Sequence, residues 1–396
     1  MSMFTQAGAV TAMNVRNLPQ RLGTSSVIVI GIAGVVAVLV SVLAMSSGMI
    51  KTMRGTGRDD RAIITRTGAA SEMSSNIGRA AVDTISDAAG VKHDTQGKAI
   101  VSAETFSLAL LTRKDGTEVS VPVRGVGVNA FELRPEIKLI EGRMFRPAVN
   151  EVVVGKGAHL QYAGLEVGSE LKMRNSSWKV VGIFSSNGDA HESEMMTNNE
   201  TLQAALRRVG SYQSMTVMLT SPAAFAQFKD DLTTNPNLSV DVVSERAYYA
   251  QQSQGVSNLL SIIAYVVGGI MAVGAIFGAL NTMYSAVSTR SVEIATLRAI
   301  GFGAVPIVVS VLVEALLLAL LGGAIGALIA WAFFDGHVVN SSAGGVANES
   351  RIFSLYVSPE LMTTGIVGAC IIGLVGGLFP AIRAARLPVA TALRAA

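Results

Sequence analysis

The residues that could do chemistry in this 396-residue chain are few and scattered. His191-Glu192 and Glu194 stand beside Asp189, a spacing from which a metal site can be imagined. Their surroundings are loop-like, and the sequence reads there as a solvated acidic turn. The other histidines, His93, His159 and His337, have no clustered partner. Gly97-Lys98 is followed by Ala99, with no glycine at the earlier position, so no phosphate loop of the G-x-x-x-x-G-K-[ST] kind is formed. H-E-x-x-H, G-x-S-x-G and C-x-x-C are absent. Cys370 is the single cysteine, which excludes an intrachain disulfide and a cysteine-clustered zinc site. No catalytic residue, metal ligand or cofactor is therefore assigned to the chain. Glu314 is different, because it interrupts a long apolar run about ten residues, or ~15 Å, from its start. An intramembrane acid is by default a candidate for a proton relay or a ligand site. One carboxylate with no intramembrane partner makes a poor relay. The favoured reading is a structural hydrogen bond or ion pair, with an arginine of the first segment as partner.

The elements that would position these groups are mostly apolar. Half the residues are hydrophobic and 15% are charged, against roughly a quarter charged in a typical soluble domain. Mean hydropathy is +0.47. Disordered chains, disulfide scaffolds and coiled coils are excluded. From Gly23 to Ile50 there is no Asp, Glu, Lys or Arg, and about twenty such residues cross the ~30 Å hydrocarbon layer. Arg16 and Arg21 precede this run as they would in a signal peptide, whose apolar region is only about 7–15 residues long. An uncleaved span is the better fit. The full division is an amphipathic N-terminal segment 1–25, spans 26–50, 256–288, 304–334 and 361–382, a large domain 51–255, a short segment 289–303, a loop 335–360 and a tail 383–396. Tyr248–Gln254 is polar but uncharged and reads as the second span's helix continuing beyond the membrane.

Charge orients the spans. The N-terminal segment, the 289–303 segment and the tail together carry Arg16, Arg21, Arg290, Arg298, Arg383, Arg386 and Arg394 against Glu293 alone. The 335–360 loop carries Asp335, Glu349 and Glu360 against Arg351. Short inner loops keep Lys and Arg, so both termini are expected in the cytoplasm and the large domain outside. That domain holds 23 basic and 23 acidic residues. The formal charge of +3 and the pI near 9.0 therefore come from topology, and no nucleic-acid partner is expected.

The large domain alternates short strands (99–102, 107–112, 118–124, 151–154, 168–173, 178–184, 216–220, 240–243) with helices at 201–208 and 223–232. Lys114-Asp-Gly is the hairpin turn between the second and third strands. The fold class is thus a polytopic α-helical membrane protein, four transmembrane helices in a 1+3 arrangement, with a large extracytoplasmic α+β domain. Small residues recur every four positions at Gly365, Ala369, Gly373 and Gly377, and at Ala315, Ala319, Gly323 and Ala327, with Gly274 and Gly278 in the second span. Such stripes let helix backbones approach closely, either within one bundle or across a dimer. In Thr289–Gly303, Ile294, Leu297 and Ile300 recur at helical spacing and Gly301 sits where a helix stops. This short amphipathic helix either lies among lipid headgroups or presents a knob to a cytoplasmic partner.

Taken together, one span, a large outer domain and then three spans resemble the FtsX-like and MacB-like permeases of bacterial ABC transporters. The residues carrying the likeness are Arg290–Gly301, Glu314–Trp331, the tail Phe379–Arg394, and in the outer domain Glu141–Phe145, Glu151–Gly155, Val167-Gly168 and Trp178–Ile183. The resemblance implies the permease subunit of an ABC export system of the mechanotransmission type in the bacterial cytoplasmic (inner) membrane. It implies a second permease chain (homo- or heterodimer), an ABC ATPase subunit that carries ATP and Mg, and a periplasmic membrane-fusion adaptor. The ATPase would grip Arg290, Glu293, Ile294, Leu297 and Arg298. No ATPase domain is fused within these residues, so a separate ATPase chain is expected. Two alternatives share the architecture: a signalling scaffold that activates a cell-wall hydrolase, and a permease that extracts lipoproteins. An integral-membrane enzyme is disfavoured by the lack of convergent His, Asp and Ser groups.

Overall fold

The computed structural model describes residues 3–17, 22–341 and 351–386. Arg21, Glu349, Arg394 and the tail from Leu387 onward lie outside the described residues. Eleven helices are described: α1 (Met3–Asn17), α2 (Leu22–Gly55), α3 (Arg79–Ser86), α4 (Ala130–Leu133), α5 (Lys156–Gln161), α6 (Asn199–Leu206), α7 (Phe225–Thr233), α8 (Glu245–Thr289), α9 (Ser291–Ala299), α10 (Ala304–Phe334) and α11 (Pro359–Ala385). Four of them, α2, α8, α10 and α11, are long and apolar enough to cross a membrane. The chain forms two compact units, one of residues 1–47, 258–337 and 355–396, the other of residues 48–257 and 338–354.

In the first unit, helix ends follow local chemistry. Ser358 caps α11 by accepting from the Leu361 N–H, and Pro359 occupies the first turn, where a missing N–H costs nothing. Gly301 closes the turn after α9 with φ of +104°, a backbone that glycine adopts without strain. The helices then pack through small residues. A Cβ at Gly377 would stand 2.7 Å from that of Ala315, one at Gly323 2.8 Å from Ala369, and one at Gly365 2.8 Å from Val40. A Cβ at Gly373 would overlap Ala319. These four glycines therefore serve contacts of α11 with α10 and α2 inside one chain. Gly274 and Gly278 differ, since nothing lies within 4 Å of either and both are exposed on α8.

The second unit is built on a mixed sheet. Its strands are β1 (Arg61–Arg66), β2 (Ile77–Gly78), β3 (Val101–Thr112), β4 (Glu118–Val126), β5 (Lys138–Gly142), β6 (Glu151–Gly155), β7 (Glu170–Met173), β8 (Ser176–Ser185), β9 (Met195–Asn198), β10 (Ser211–Tyr212), β11 (Ser214–Met218), β12 (Val240–Ser244), β13 (Val338–Ser341) and β14 (Arg351–Ser354). Ten of them form the order β12-β1-β11-β3-β4-β9-β6-β8-β5, with β7 beside β8. The sequence pattern suggested two strands over 99–112, but β3 is one strand that serves two neighbours. Val101–Glu104 pair with β11 and Thr105–Thr112 with β4. Apolar cores form around Trp178, Tyr162 and Leu202 and around Ile64, Phe228 and Val242, with a smaller cluster around Phe184 and Val153. Strands β1, β2, β5, β9, β10, β13 and β14 and helices α3, α4 and α5 were not legible in the sequence. In β1, Arg61–Thr65 are all buried, so no alternation marks it; β5 is exposed throughout. The hairpin turn at Lys114-Asp-Gly is present, with the Arg113 N–H donating to Thr117 O at 2.7 Å.

Substituting Gly373→Val should force α10 and α11 apart and lower stability by about 1–3 kcal/mol, read as a lower unfolding midpoint of the purified chain. Gly278→Ala should leave the midpoint unchanged or slightly raised, since the added methyl meets open space.

Candidate functional site

The segment between the second and third spans forms α9, and its residues divide sharply by direction. Arg290, at the N-cap position, turns inward. Its Nη1 donates to Glu314 Oε2 at 2.7 Å and its Nη2 donates to Oε1, a two-pronged pair buried in the bundle. Among the described residues the partner of Glu314 is therefore Arg290, in place of the expected arginine of the first segment. The turn between α8 and α9 delivers a guanidinium beside α10, while α1 contributes Val10 and Met13 to the same apolar surroundings. A lone carboxylate in hydrocarbon is costly, and a planar bidentate partner is the strongest neutralisation available.

Ile294 and Ala295 are buried and hold α9 to the bundle. Arg298 Nη1 donates to the Ala385 carbonyl at 2.6 Å, which satisfies an orphan group at the end of α11. Gln6 of α1 accepts from the Gly303 N–H at 3.3 Å. The face left outward carries Val292, Glu293, Thr296 and Ile300, with Ile300 71% exposed and Leu297 half-buried. Of the five coupling residues expected from sequence, Arg290, Ile294 and Arg298 thus brace the segment, and Glu293 is presented.

A second cluster lies in the other unit around Glu245, the first residue of α8. Its carboxylate accepts from Arg61 Nη1 at 3.0 Å, Arg134 Nε at 3.3 Å and the Arg58 N–H at 3.2 Å. Arg61 also makes two bonds to Glu136, at 2.7 and 2.9 Å. Arg134 donates to Glu104 at 2.5 Å and to Thr216 Oγ1 at 3.0 Å. Arg124 reaches Glu72, Glu104 and Glu194 with bonds of 2.7–3.1 Å. Arg61, Arg124, Arg134, Glu104, Glu194 and Glu245 are no more than 1% exposed. Burial alone would push the Glu104 and Glu194 carboxyls up. The facing charges outweigh it: Arg134 and Arg124 hold Glu104 low, and Arg124 with His191 holds Glu194 well below the usual carboxylate range.

This cluster corrects the expected solvated turn at Asp189–Glu194. Asp189, His191 and Glu194 are all buried. Asp189 caps the 3-10 turn Ala190–Ser193, accepting from the His191 N–H at 2.9 Å and from Ser186 Oγ at 2.7 Å. Burial pushes its carboxyl up. Among the described residues, no group of three His, Cys, Asp or Glu could hold a metal ion. Sequence reasoning missed the cluster because its members lie far apart in the chain. The available signal was a charged residue inside an apolar strand, as in V-S-A-E-T-F around Glu104 and V-P-V-R-G-V around Arg124.

Residues 22–235 match the MacB-like periplasmic core domain, and residues 265–389 match the FtsX-like permease C-terminal domain. The chain belongs to the MacB-like, FtsX-like permease family. It is a membrane protein with four candidate spans and a large extracytoplasmic α/β domain. The Macrolide export ATP-binding/permease protein MacB of Escherichia coli is 25% identical over 286 residues, covering 69% of this chain and 43% of that protein. The MacB 1/2 protein of Paracoccus denitrificans is 26% identical over 395 residues, covering 93% of this chain and 55% of its own length. The chain spans about half the length of the curated relatives it matches. Among solved structures, the periplasmic region of MacB from Actinobacillus actinomycetemcomitans covers 52% of this chain at a TM-score of 0.38 and 15% identity; 98% of that chain is aligned.

In this permease, Glu314→Gln should strand the buried Arg290 charge and cost about 3–5 kcal/mol, whereas Arg290→Met with Glu314→Leu should recover most of it; thermal unfolding in detergent reads both. Glu104 and Glu194 titrate lower folded than unfolded. The unfolded chain therefore takes up protons first as pH falls. Their stabilisation is full above about pH 5, where unfolded glutamates are ionised too, and is lost progressively as pH drops from there through the folded values. The Glu194→Gln variant should show a flatter acid limb in unfolding midpoint against pH.

Proposed function

We propose that this chain is the permease subunit of an ABC exporter of the mechanotransmission type. A separate ATPase, holding ATP and Mg, moves α9, and the movement reaches the extracytoplasmic domain to drive efflux of a substrate. The observation that carries this reading is α8. It runs without a break for 45 residues from Glu245, inside the charge cluster, to Thr289, with Arg290 alone between it and α9. At 1.5 Å per residue, that is a rod of about 67 Å. A helix conveys displacement along its axis only if both ends are gripped. Glu245 is gripped by Arg61 and Arg134 at one end, and the Arg290–Glu314 pair braces the turn at the other.

The ATPase in this reading contacts the outward face of α9: Val292, Glu293, Thr296 and Ile300, with the edge of Leu297. In this reading both termini and α9 are cytoplasmic, which the distribution of arginines over the short loops supports. The permease works as a pair, and the open faces of Gly274 and Gly278 are suited to close approach by the second copy. A membrane-fusion adaptor completes the export path on the outer side.

Glu293→Lys and Ile300→Asp should each lower stimulation of the partner ATPase by about fivefold or more, the loss typical of a contact residue worth over 1 kcal/mol, with unchanged insertion and melting. Ile294→Asp should instead fail to accumulate, because it places a charge in the bundle. Normal stimulation in the first two variants would overturn the reading.

A further inference from the structure

Two elements of the extracytoplasmic unit that are continuous in the chain with the membrane spans meet its charge cluster. One is the first turn of α8. The other is the β13–β14 hairpin, which belongs to the loop between α10 and α11. Strand β14 docks through neutral contacts. Ser193 Oγ accepts from the Ile352 N–H at 3.0 Å and lies 3.2 Å from the Ile352 carbonyl, and the Ile352 side chain joins the core around Trp178. Those contacts involve no charge. Yet the preceding residue, Arg351, is also buried, and its Nη1 donates to Glu194 Oε1 at 3.2 Å.

From there the ionic contacts run without interruption. Glu194 Oε2 accepts from Arg124 Nε at 2.7 Å, Arg124 Nη1 donates to Glu104 Oε2 at 2.8 Å, Glu104 Oε1 accepts from Arg134 Nη1 at 2.5 Å, and Arg134 Nε donates to Glu245 Oε1 at 3.3 Å. Three cations alternate with three anions between the hairpin and the stalk helix. We infer that Arg351 is a positioning residue for α8: it sets the hold on Glu245 through this alternating ladder, although the two never touch. The inference rests on the transmission reading only for its purpose, because the ladder itself is a property of the fold.

The physical basis is the poor screening of buried charge. If Arg351 loses its charge, Glu194 keeps its own and draws Arg124 closer. Arg124 then gives less to Glu104, which in turn takes more of Arg134, and Arg134 slackens on Glu245. Arg61, which also holds Glu245, and Glu72, which also holds Arg124, limit the displacement without interrupting the sequence. A neutral contact network would let such a change die out near β14.

The test is hydrogen–deuterium exchange on the full chain in nanodiscs, comparing wild type, Arg351→Met and Arg351→Lys. The informative amides are those of Tyr249–Gln252, whose hydrogen bonds go to the first-turn carbonyls of α8. The Met variant should exchange there about 2- to 30-fold faster, the span that coupling between remote sites usually covers. The Lys variant, which keeps the charge, should stay near wild type. The inference is overturned if the Met variant's change is confined to residues 190–198 and 338–354, or if Lys and Met behave alike. Should the Met variant not accumulate, Glu245→Gln is read at Ile352–Ser354, where unchanged exchange overturns it equally. None of these readouts involves the ATPase. Loss of the ladder with normal ATPase stimulation, or the reverse, therefore separates this inference from the transport reading.

Discussion

A charge removed from water must be matched by an opposite charge close by, and much of the extracytoplasmic domain is arranged to meet that condition around Glu245. Its carboxylate begins α8 and lies where no solvent reaches it, held by Arg61 from β1 and Arg134 from the end of α4. Each of those arginines needs further acids, which brings in Glu136 and Glu104. Glu104 needs Arg124, and Arg124 needs Glu72 and Glu194. Residues from β1, β3, β4 and the turn before β9 are thereby committed to one lattice. Such a lattice is a poor source of net stability compared with apolar packing, yet removing any one partner is expensive. It specifies which arrangement the strands and the head of α8 adopt, and a helix whose end is specified in this way can be pulled on.

The same condition operates in the membrane unit with fewer participants. Among the described residues Arg290 and Glu314 pair only with each other as charges, and the bidentate geometry lets both remain in a largely apolar bundle. The pair also fixes where α9 departs from α8. With Ile294 buried and Arg298 tied to the end of α11, α9 is a braced projection and not a loose surface helix. Close packing of α2, α10 and α11 through Gly365, Gly373 and Gly377 leaves the membrane part of α8 the least enclosed of the four spans. A helix with few lateral contacts inside its own chain meets little resistance to axial or tilting displacement.

How much of this was legible beforehand depended on whether the signal was local. The four spans were, because hydropathy is a property of consecutive residues, and the continuation of α8 through Tyr248–Gln254 followed from the absence of charge or breakers there. The strands with alternating burial, such as β7, were legible for the same reason. The continuous β3 was not, because its two halves serve different neighbours and its pattern changes midway. The α9 helix was visible in the spacing of Ile294 and Leu297. Which of its residues face outward was not, since that depends on Glu314 lying 24 positions from Arg290. The Glu245 lattice was the least legible, because Arg61 and Glu245 are 184 residues apart and no spacing rule connects them. The misreading of Asp189–Glu194 as a solvated turn has the same origin: the arginines that permit its burial come from β4 and β14.

The central claim is that ATP hydrolysis by a partner ATPase, acting on α9, moves the extracytoplasmic domain. The most direct measurement places a spin label at Val209→Cys, 82% exposed in that domain, in a Cys370→Ser background. Electron–electron distances between labels on paired permeases would be compared in nanodiscs with the partner ATPase, nucleotide-free and trapped with ATP. The account predicts a shifted distance distribution in the ATP-trapped state. Identical distributions in both states, with ATP still being hydrolysed at the stimulated rate, would contradict it.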